Sequence, residues 1–199
     1  MKQATIVIFD YGSQYTRLIS RRLREKNVFC DLVNPEIDKS FFEDRDIKGF
    51  ILSGGPNSVF DDNSPNIPDW VMESNKPILG ICYGMQLLAI NQSGKVEKTQ
   101  KREYGNSILS IKEDSKLFSG IPKNINVWMS HEDKIINLPQ NFKIIGKTDN
   151  SFCAAFEKDL IYGVQFHPEV DNTAYGLSLI HISEPTRPLY ISYAVFCLK

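Results

Sequence analysis

The sequence predicts an α/β domain of three layers, in which helices cover a mostly parallel central sheet that carries added antiparallel strands. Apolar, β-branched runs of strand length recur early in the chain, and a stretch of helical periodicity separates the first two. Strands that alternate with helices favour parallel pairing through helical crossovers. After residue 95, short apolar runs follow one another without helical stretches, which predicts antiparallel hairpins.

The individual elements follow from the same periodicities. Residues 13–26 place apolar side chains at helical spacing and arginines on a predicted solvent face, with Ser13 as a candidate N-cap. A second helix is predicted at residues 85–91. The predicted parallel strands are residues 5–9, 28–33, 49–52 and 77–81, and the later strands are residues 107–111, 126–129, 142–146, 153–156 and 161–166.

Composition and charge limit the classes of function. A chain of 199 residues with 42% hydrophobic and 24% charged residues is typical of one globular domain. A net charge of −1 favours neither a nucleic-acid partner nor an anionic membrane surface. The first apolar run is too short for a signal peptide or a membrane span. We therefore expect a cytoplasmic protein with neither partner.

The four cysteines predict neither a metal site nor disulfides. They are not arranged as CxxC, and their spacing along the chain is irregular. This usage fits a reducing compartment. We expect no bound metal. The cysteines are Cys30, Cys82, Cys153 and Cys197.

Cys82 is the candidate nucleophile. Residues 77–89 read PILGICYGMQLLA, so Cys82 lies between two glycines at the predicted junction of an apolar strand and an apolar helix. A sharp strand-to-helix turn of this kind exposes a nucleophile, and small flanking residues permit the turn. The helix N-terminus favours a thiolate and a developing oxyanion. A buried cysteine in a glycine-rich turn is the alternative, and the motif alone identifies no substrate.

His167 is the candidate base, and Glu169 is its candidate partner. Residues 163–170 read GVQFHPEV, and turn geometry across Pro168 could point both side chains the same way. Glu169 would then hold the imidazole, as the third member of a catalytic triad does. A plain surface loop is the alternative. His131, in a polar stretch, is a rival base and a candidate for lining the site.

A glycine turn follows the third apolar run. Residues 53–56 read SGGP, and the backbone N–H groups of such a turn can stabilise an oxyanion. A phosphate-binding loop is disfavoured because the GxxxxGK[ST] pattern is absent. An ordinary turn remains the simplest alternative.

Together these motifs resemble those of the class I glutamine amidotransferases. SGGP, GICYGMQ and GVQFHPE occur in the order of that family, and the resemblance covers residues 5–176. It implies a flavodoxin-like three-layer fold and hydrolysis of glutamine to glutamate and ammonia. It also implies functions for particular residues: Cys82, His167 and Glu169 as the catalytic triad, the N–H groups of Gly55 and Tyr83 as the oxyanion hole, and Gln86 in binding glutamine.

Within this class, three stretches resemble the amidotransferase domains of bacterial, two-domain GMP synthases. They are FDYGSQYTRLISRRLR at residues 9–24, REYG at 102–105 and VWMSH at 127–131. This resemblance implies that ammonia passes to a synthetase domain of the same chain, which uses ATP and Mg²⁺ to aminate xanthosine monophosphate to GMP. It implies no cofactor in the amidotransferase domain, and a homodimer of the full-length protein.

Two other functions remain as alternatives. One is an amidotransferase of anthranilate or carbamoyl phosphate synthesis, which the residue 9–24 and 127–131 stretches disfavour. The other is a non-catalytic module that keeps the fold. Two positions depart from the family pattern without touching the triad. The family more usually has a small residue in place of Glu132, and residues 171–173 replace a stretch that often carries a histidine.

Residues 177–199 resemble a translated transposase-type sequencing adapter. The residues match the adapter codon by codon in two blocks, 177–187 and 191–198, with an index-sized interval between them. We therefore expect the native domain to comprise residues 1–176, with its last helix and the synthetase part missing. Accordingly, we assign no function to His181 or Cys197. A genuine variable C-terminus is the alternative, and resequencing the locus would distinguish the two.

Overall fold

The computed structural model describes residues 2–62, 64–112, 115–139 and 141–180. The helices within them are α1 (Thr16–Glu25), α2 (Asp69–Met72), α3 (Tyr83–Asn91) and α4 (Gly176–Ile180), with a 3-10 turn at Lys39–Phe42. The strands are β1 (Gln3–Phe9), β2 (Cys30–Val33), β3 (Arg45–Leu52), β4 (Ile78–Ile81), β5 (Lys95–Ile111), β6 (Asn124–Asn137), β7 (Lys143–Lys147), β8 (Ala155–Lys158) and β9 (Ile161–Val164).

These strands form one mixed sheet in the order β2-β1-β3-β4-β9-β8-β7-β5-β6. Strands β2, β1, β3, β4 and β9 pair with one another in parallel, and β9 joins the antiparallel half through β8. Their inner residues are buried, as in the run Ile6–Phe9 of β1, because apolar clusters cover both faces of the sheet. This burial explains why the strands read as continuous apolar runs. The predicted α/β class, with parallel strands extended by antiparallel ones in a single sheet, is confirmed.

The antiparallel half is dominated by a long β5–β6 ribbon. Its pairing runs from Lys95–Asn137 to Ser110–Asn124, and the register shifts between Lys98 and Glu103. The sequence predicted only short apolar segments of these strands. The prediction was too short because the ribbon alternates buried and exposed residues and carries many charges.

Helix α1 packs its apolar side against the sheet, as predicted, but its start differs from the prediction. Tyr15 is the N-cap residue, and no side chain caps the helix. Ser13 lies before the helix, where its hydroxyl accepts a hydrogen bond from the Tyr15 N–H at 3.1 Å. The predicted solvent face also differs at Arg22, whose guanidinium pairs with Asp171 and donates to the Glu169 carbonyl.

The end of the described chain is the short helix α4. Leu179 in this helix is 1% exposed and belongs to the apolar core. Residues 177–180 thus belong to both α4 and the segment that the sequence predicts to be foreign. The remainder, with His181 and Cys197, lies outside the described residues. The domain boundary at residue 176 therefore stays a prediction.

Neither a membrane-spanning helix nor a metal cluster occurs among the described residues. No described helix combines the length and the apolar character needed to cross a membrane. In the same part of the chain, no cluster of three or more histidine, cysteine or acidic side chains could hold a metal ion.

Candidate active site

The turn between β4 and α3 holds Cys82 in a strained conformation. Its backbone lies at φ 50° and ψ −105°, a region that costs a residue with a side chain about 1–3 kcal/mol. The turn is fixed by a hydrogen bond from the Cys82 N–H to the Val164 carbonyl at 2.8 Å. Glycine is required on both sides: a Cβ at Gly80 would lie 2.6 Å from the Gly84 carbonyl carbon. The predicted strand–nucleophile–helix turn is therefore present.

His167 and Glu169 are brought together as the sequence predicts. The His167 Nδ1 lies 2.8 Å from the Glu169 Oε1, and both side chains are buried. The backbone after β9 is anchored to β6 by a hydrogen bond from the His167 N–H to the Trp128 carbonyl at 2.9 Å. Thr173 donates its hydroxyl to the His167 carbonyl at 2.6 Å. The Pro168 turn is thus a fixed part of the site and not a plain surface loop.

The environment of His167 favours the imidazolium form. Burial alone would lower its pKa, but hydrogen bonds to Cys82 and Glu169, together with the negative charges of these two groups, raise the pKa from 6.5 to about 10. Among the described residues, the Glu169 Oε2 is buried without a hydrogen-bond partner. The charge of this carboxylate is therefore compensated mainly by His167. A cation beside Cys82 stabilises a thiolate.

The raised pKa of His167 predicts a pH-dependent stability. The folded state binds this proton more tightly than the unfolded state, whose pKa stays near the ordinary value of 6.5. The contribution is complete below about pH 6.5 and is lost as the pH rises to about 10. We expect urea unfolding to show this loss, and we expect His167→Gln to lack it. If the free energy of unfolding changed equally with pH in the wild-type protein and in His167→Gln, the raised pKa of His167 would be contradicted.

The two predicted oxyanion-hole residues flank Cys82 in space. Gly55 and Tyr83 line the same cavity as Cys82. Tyr83 is the first residue of α3, where helix N–H groups have no intrahelical acceptor. A Cβ at Gly55 would lie 2.7 Å from the Tyr11 carbonyl oxygen, so only glycine fits this closely packed loop. The loop is fixed by the Ser53 hydroxyl, which accepts from the Tyr11 N–H at 3.0 Å.

The cavity beside Cys82 has a volume of about 380 Å³ and a largely polar lining. Gln86, as predicted, lies in its wall, and the Gln86 amide donates to the Asp133 carbonyl at 2.9 Å. Sequence reasoning did not single out Ser130 and Gln165. The Cys82 thiol lies 3.6 Å from the Ser130 carbonyl oxygen, and the Gln165 amide nitrogen lies 3.7 Å from the Cys82 sulfur.

The sequence alone could have indicated only some of these residues as part of the site. Gln165 could have been noticed, because it stands two residues before His167 in the same motif. Asp133 is also missing from the predicted site, although its carboxylate accepts from the Ser58 hydroxyl at 2.6 Å across the cavity. That contact joins residues far apart in the chain, and no local pattern predicts it.

His131 is not placed as a base for Cys82. It lines the cavity, but the ring nitrogens face the Asp133 carbonyl oxygen at 2.9 Å and the Glu103 carboxylate at 3.2 Å. Neither nitrogen is left to accept a proton from the thiol. The alternative base of the sequence analysis is therefore wrong, whereas the expectation that His131 lines the site is met.

The unusual Glu132 lies at the cavity rim. Its carboxylate accepts from the Tyr104 hydroxyl at 3.1 Å and pairs with Arg102 at 3.0 Å. The departure from the family pattern thus changes the entrance and leaves Cys82, His167 and Glu169 untouched.

The other described cysteines have no comparable surroundings. Cys30 and Cys153 are buried and free of disulfides. Burial raises the pKa of the Cys30 thiol and raises that of Cys153 to about 12. Protonated, inaccessible thiols are poor nucleophiles. Cys82 is therefore the thiol of the described chain that is suited to chemistry.

Comparisons with known proteins show the family of the chain. The model of the family described as glutamine amidotransferase class-I matches residues 7–183. The GMP synthase (glutamine-hydrolysing) of Thermosipho africanus is 49% identical over 174 residues, which are 86% of this chain and 34% of that protein. The Clostridium kluyveri GMP synthase is 46% identical over 182 residues, which are 90% of this chain and 36% of that protein. The chain thus spans about a third of the length of these relatives.

Solved structures give the same result. A Thermoplasma acidophilum protein assigned as one of the subunits of a GMP synthase superposes with a TM-score of 0.74 at 34% identity, over 89% of this chain and 90% of that one. A glutamine amidotransferase of Thermotoga maritima has a TM-score of 0.69 at 21% identity, over 85% and 78%, which supports the fold alone. With the family match spanning nearly the whole chain and the nucleophile turn in place, the chain belongs to the class I glutamine amidotransferase family.

Proposed function

We propose that this domain hydrolyses glutamine to glutamate and ammonia with Cys82, His167 and Glu169 as its catalytic triad. The observation that carries the proposal is the contact between the His167 Nδ1 and the Glu169 Oε1 at 2.8 Å, in a buried site where Cys82 and Glu169, against the effect of burial, raise the pKa of His167. A nucleophile, a base and a group that orients the base are the parts that covalent acyl transfer needs.

The proposed reaction has two halves. The Cys82 thiolate attacks the carboxamide carbon of glutamine and forms a carbon–sulfur bond, while the N–H groups of Gly55 and Tyr83 stabilise the oxyanion. The His167 imidazolium donates its proton to the departing nitrogen, the carbon–nitrogen bond breaks and ammonia leaves. His167 then takes a proton from water, whose oxygen attacks the thioester. The carbon–sulfur bond breaks, and glutamate and the free thiolate result.

The substrate assignment rests on the cavity and on the relatives. Gln86 lies in the wall beside Cys82, where its amide can bind the glutamine substrate. Catalytic turnover, as opposed to a binding module that keeps the fold, is supported by the presence of all three triad side chains. His167 and Glu169 are in contact, and Cys82 acts electrostatically on His167.

In its complete form, we assign the protein to purine nucleotide biosynthesis in the cytoplasm. Ammonia would pass to a synthetase domain of the same chain, which would use ATP and Mg²⁺ to aminate xanthosine monophosphate to GMP. The support is the identity of 46–49% to GMP synthases over their amidotransferase third. The amidotransferase domain itself needs no cofactor for glutamine hydrolysis, and the complete protein would act as a homodimer.

Two measurements test this function. We expect purified protein to release glutamate from glutamine and to leave asparagine, which is one methylene shorter, largely unused, since the reacting carbonyl must reach both Cys82 and the oxyanion hole. Addition of a GMP synthase synthetase domain with ATP, Mg²⁺ and xanthosine monophosphate should then give glutamine-dependent GMP. Formation of anthranilate or carbamoyl phosphate with the corresponding synthase partner, without GMP, would assign the chain to another pathway. Absence of glutamate release would refute the glutaminase itself.

A further inference from the structure

A buried histidine–carboxylate contact crosses the β5–β6 ribbon next to the cavity. Glu103 and His131 face each other in the strand register and are 7% and 5% exposed. The His131 Nε2 lies 3.2 Å from the Glu103 Oε2, and the Nδ1 lies 2.9 Å from the Asp133 carbonyl oxygen. A carbonyl and a carboxylate oxygen only accept hydrogen bonds. Both ring nitrogens of His131 therefore face oxygens that accept hydrogen bonds.

The surroundings of Glu103 favour its carboxylate form. The carboxylate also accepts from the hydroxyls of Ser107 at 2.9 Å and Thr148 at 3.2 Å. Burial alone would raise the pKa of Glu103, but the hydrogen bonds from His131 and Ser107, the charge of His131 and the hydrogen bond from Thr148 lower it. Glu103 is therefore ionised at neutral pH and accepts hydrogen bonds from its neighbours.

The second contact of His131 continues to the nucleophile. The Asp133 carbonyl that His131 contacts also accepts from the Gln86 amide at 2.9 Å. The same Gln86 nitrogen lies 3.5 Å from the Gln165 Oε1, and the Gln165 amide nitrogen lies 3.7 Å from the Cys82 sulfur. A continuous series of polar contacts thus joins His131 to Cys82 along the cavity wall.

We propose that His131 is a positioning residue for the glutamine substrate, acting through its Nδ1 contact to the Asp133 carbonyl and thereby on Gln86. This inference rests on the proposed glutaminase site. The two nitrogens of the ring have different functions. The Nε2 contact to Glu103 holds the strand register beside the shift between Lys98 and Glu103, and the Nδ1 contact holds the substrate-binding wall.

Two substitutions separate the two functions. In His131→Asn the shorter amide can replace the Nδ1 donor to Asp133, whereas in His131→Gln the longer amide can replace the Nε2 donor to Glu103. We expect His131→Gln to raise the KM for glutamine about tenfold, the effect of losing one hydrogen bond of ordinary strength, and His131→Asn to leave KM within about threefold of wild type. We expect the thermal midpoints to rank in the opposite order, because His131→Asn leaves the buried Glu103 uncompensated.

A purely structural function of His131 predicts a different result. The KM for glutamine would then rise most in the less stable variant. His131→Gln would have the lower KM of the two variants, and this outcome would overturn the proposal. Should His131→Asn fail to fold, the double variant Glu103→Gln/His131→Asn removes the uncompensated carboxylate and tests the same contact. Ser110→Ala is the matched control, since it removes an exposed side-chain hydrogen bond to Asn124 across the same two strands. We expect it to leave the KM for glutamine and the thermal midpoint near their wild-type values.

A spectroscopic measurement keeps this test separate from that of the proposed function. The side-chain amide of Gln86 can be observed by ¹H–¹⁵N NMR in the resting protein and identified with Gln86→Glu. We expect its resonances to shift in His131→Gln and to stay near their wild-type positions in His131→Asn. Unchanged resonances in His131→Gln would refute the inference, even if the wild-type protein hydrolyses glutamine. A failure of the wild-type protein to hydrolyse glutamine would refute the proposed function and leave the resonance test decisive for His131.

Discussion

We expect Cys82→Ala to abolish glutamine hydrolysis, with a fall in turnover rate of about a thousandfold or more. The sulfur forms the proposed covalent bond to the substrate, and no other described thiol can replace it, because neither Cys30 nor Cys153 lines the cavity that holds Cys82. The substitution leaves the glycine-flanked turn intact, so we expect the free energy of unfolding to change little. Glutamate release and urea unfolding, measured on the same preparations, check both parts of this prediction.

The control for this prediction is Cys153→Ala. Cys153 is completely buried and lies in a core cluster apart from Cys82, so its truncation should cost some stability and leave glutamine turnover near that of wild type. A glutamine-like chloroketone should alkylate Cys82 in the wild-type protein and in Cys153→Ala. Substantial glutamine hydrolysis by Cys82→Ala would remove Cys82 from the mechanism. In a preparation joined to a synthetase domain, free ammonia should restore GMP formation to the variant.

The parallel half of the fold could be predicted because its strands are buried on both faces. Continuous apolar runs such as residues 5–9 and 77–81 need no knowledge of their partners to be recognised. The long ribbon of β5 and β6 could not be predicted in full, because its alternating charged residues become strand only through pairing with each other. β-propensity depends on cross-strand neighbours that a single sequence does not display.

Some residues of the candidate site could likewise be predicted from the sequence, and others could not. Cys82, His167 and Glu169 lie in short motifs whose local geometry the sequence carries, and the structure brings His167 and Glu169 to contact distance. The sequence gives no sign that Glu103 contacts the cavity-lining His131, because the two residues become opposite each other only when β5 pairs with β6 after a register shift. Local motifs therefore predict the reacting groups, whereas the groups that position them depend on tertiary pairing.

We expect Gly84→Ala to lower the free energy of unfolding by at least about 3 kcal/mol. A Cβ on Gly84 would lie 2.4 Å from the Leu52 carbonyl oxygen and 2.6 Å from the Leu52 Cβ. Leu52 cannot move away by itself, since it is the last residue of β3 and is completely buried. Such a loss is a large part of the about 5–15 kcal/mol that holds a domain folded. Chemical unfolding of the variant would measure it.

Gly120→Ala distinguishes crowding from backbone strain. Gly120 has a φ of 75°, and a Cβ there would meet no atom within 4 Å, so we expect only about 1–2 kcal/mol of destabilisation. Equal losses in the two variants would show that close packing at Gly84 is not the cause. The Gly84 N–H also donates to the Ser53 carbonyl at 3.1 Å, so relief of the overlap must separate α3 from the loop that carries Gly55. Any Gly84→Ala protein that stays folded should therefore still be alkylated at Cys82 by iodoacetamide yet hydrolyse glutamine poorly, because the two N–H groups of the oxyanion hole would no longer face the same point.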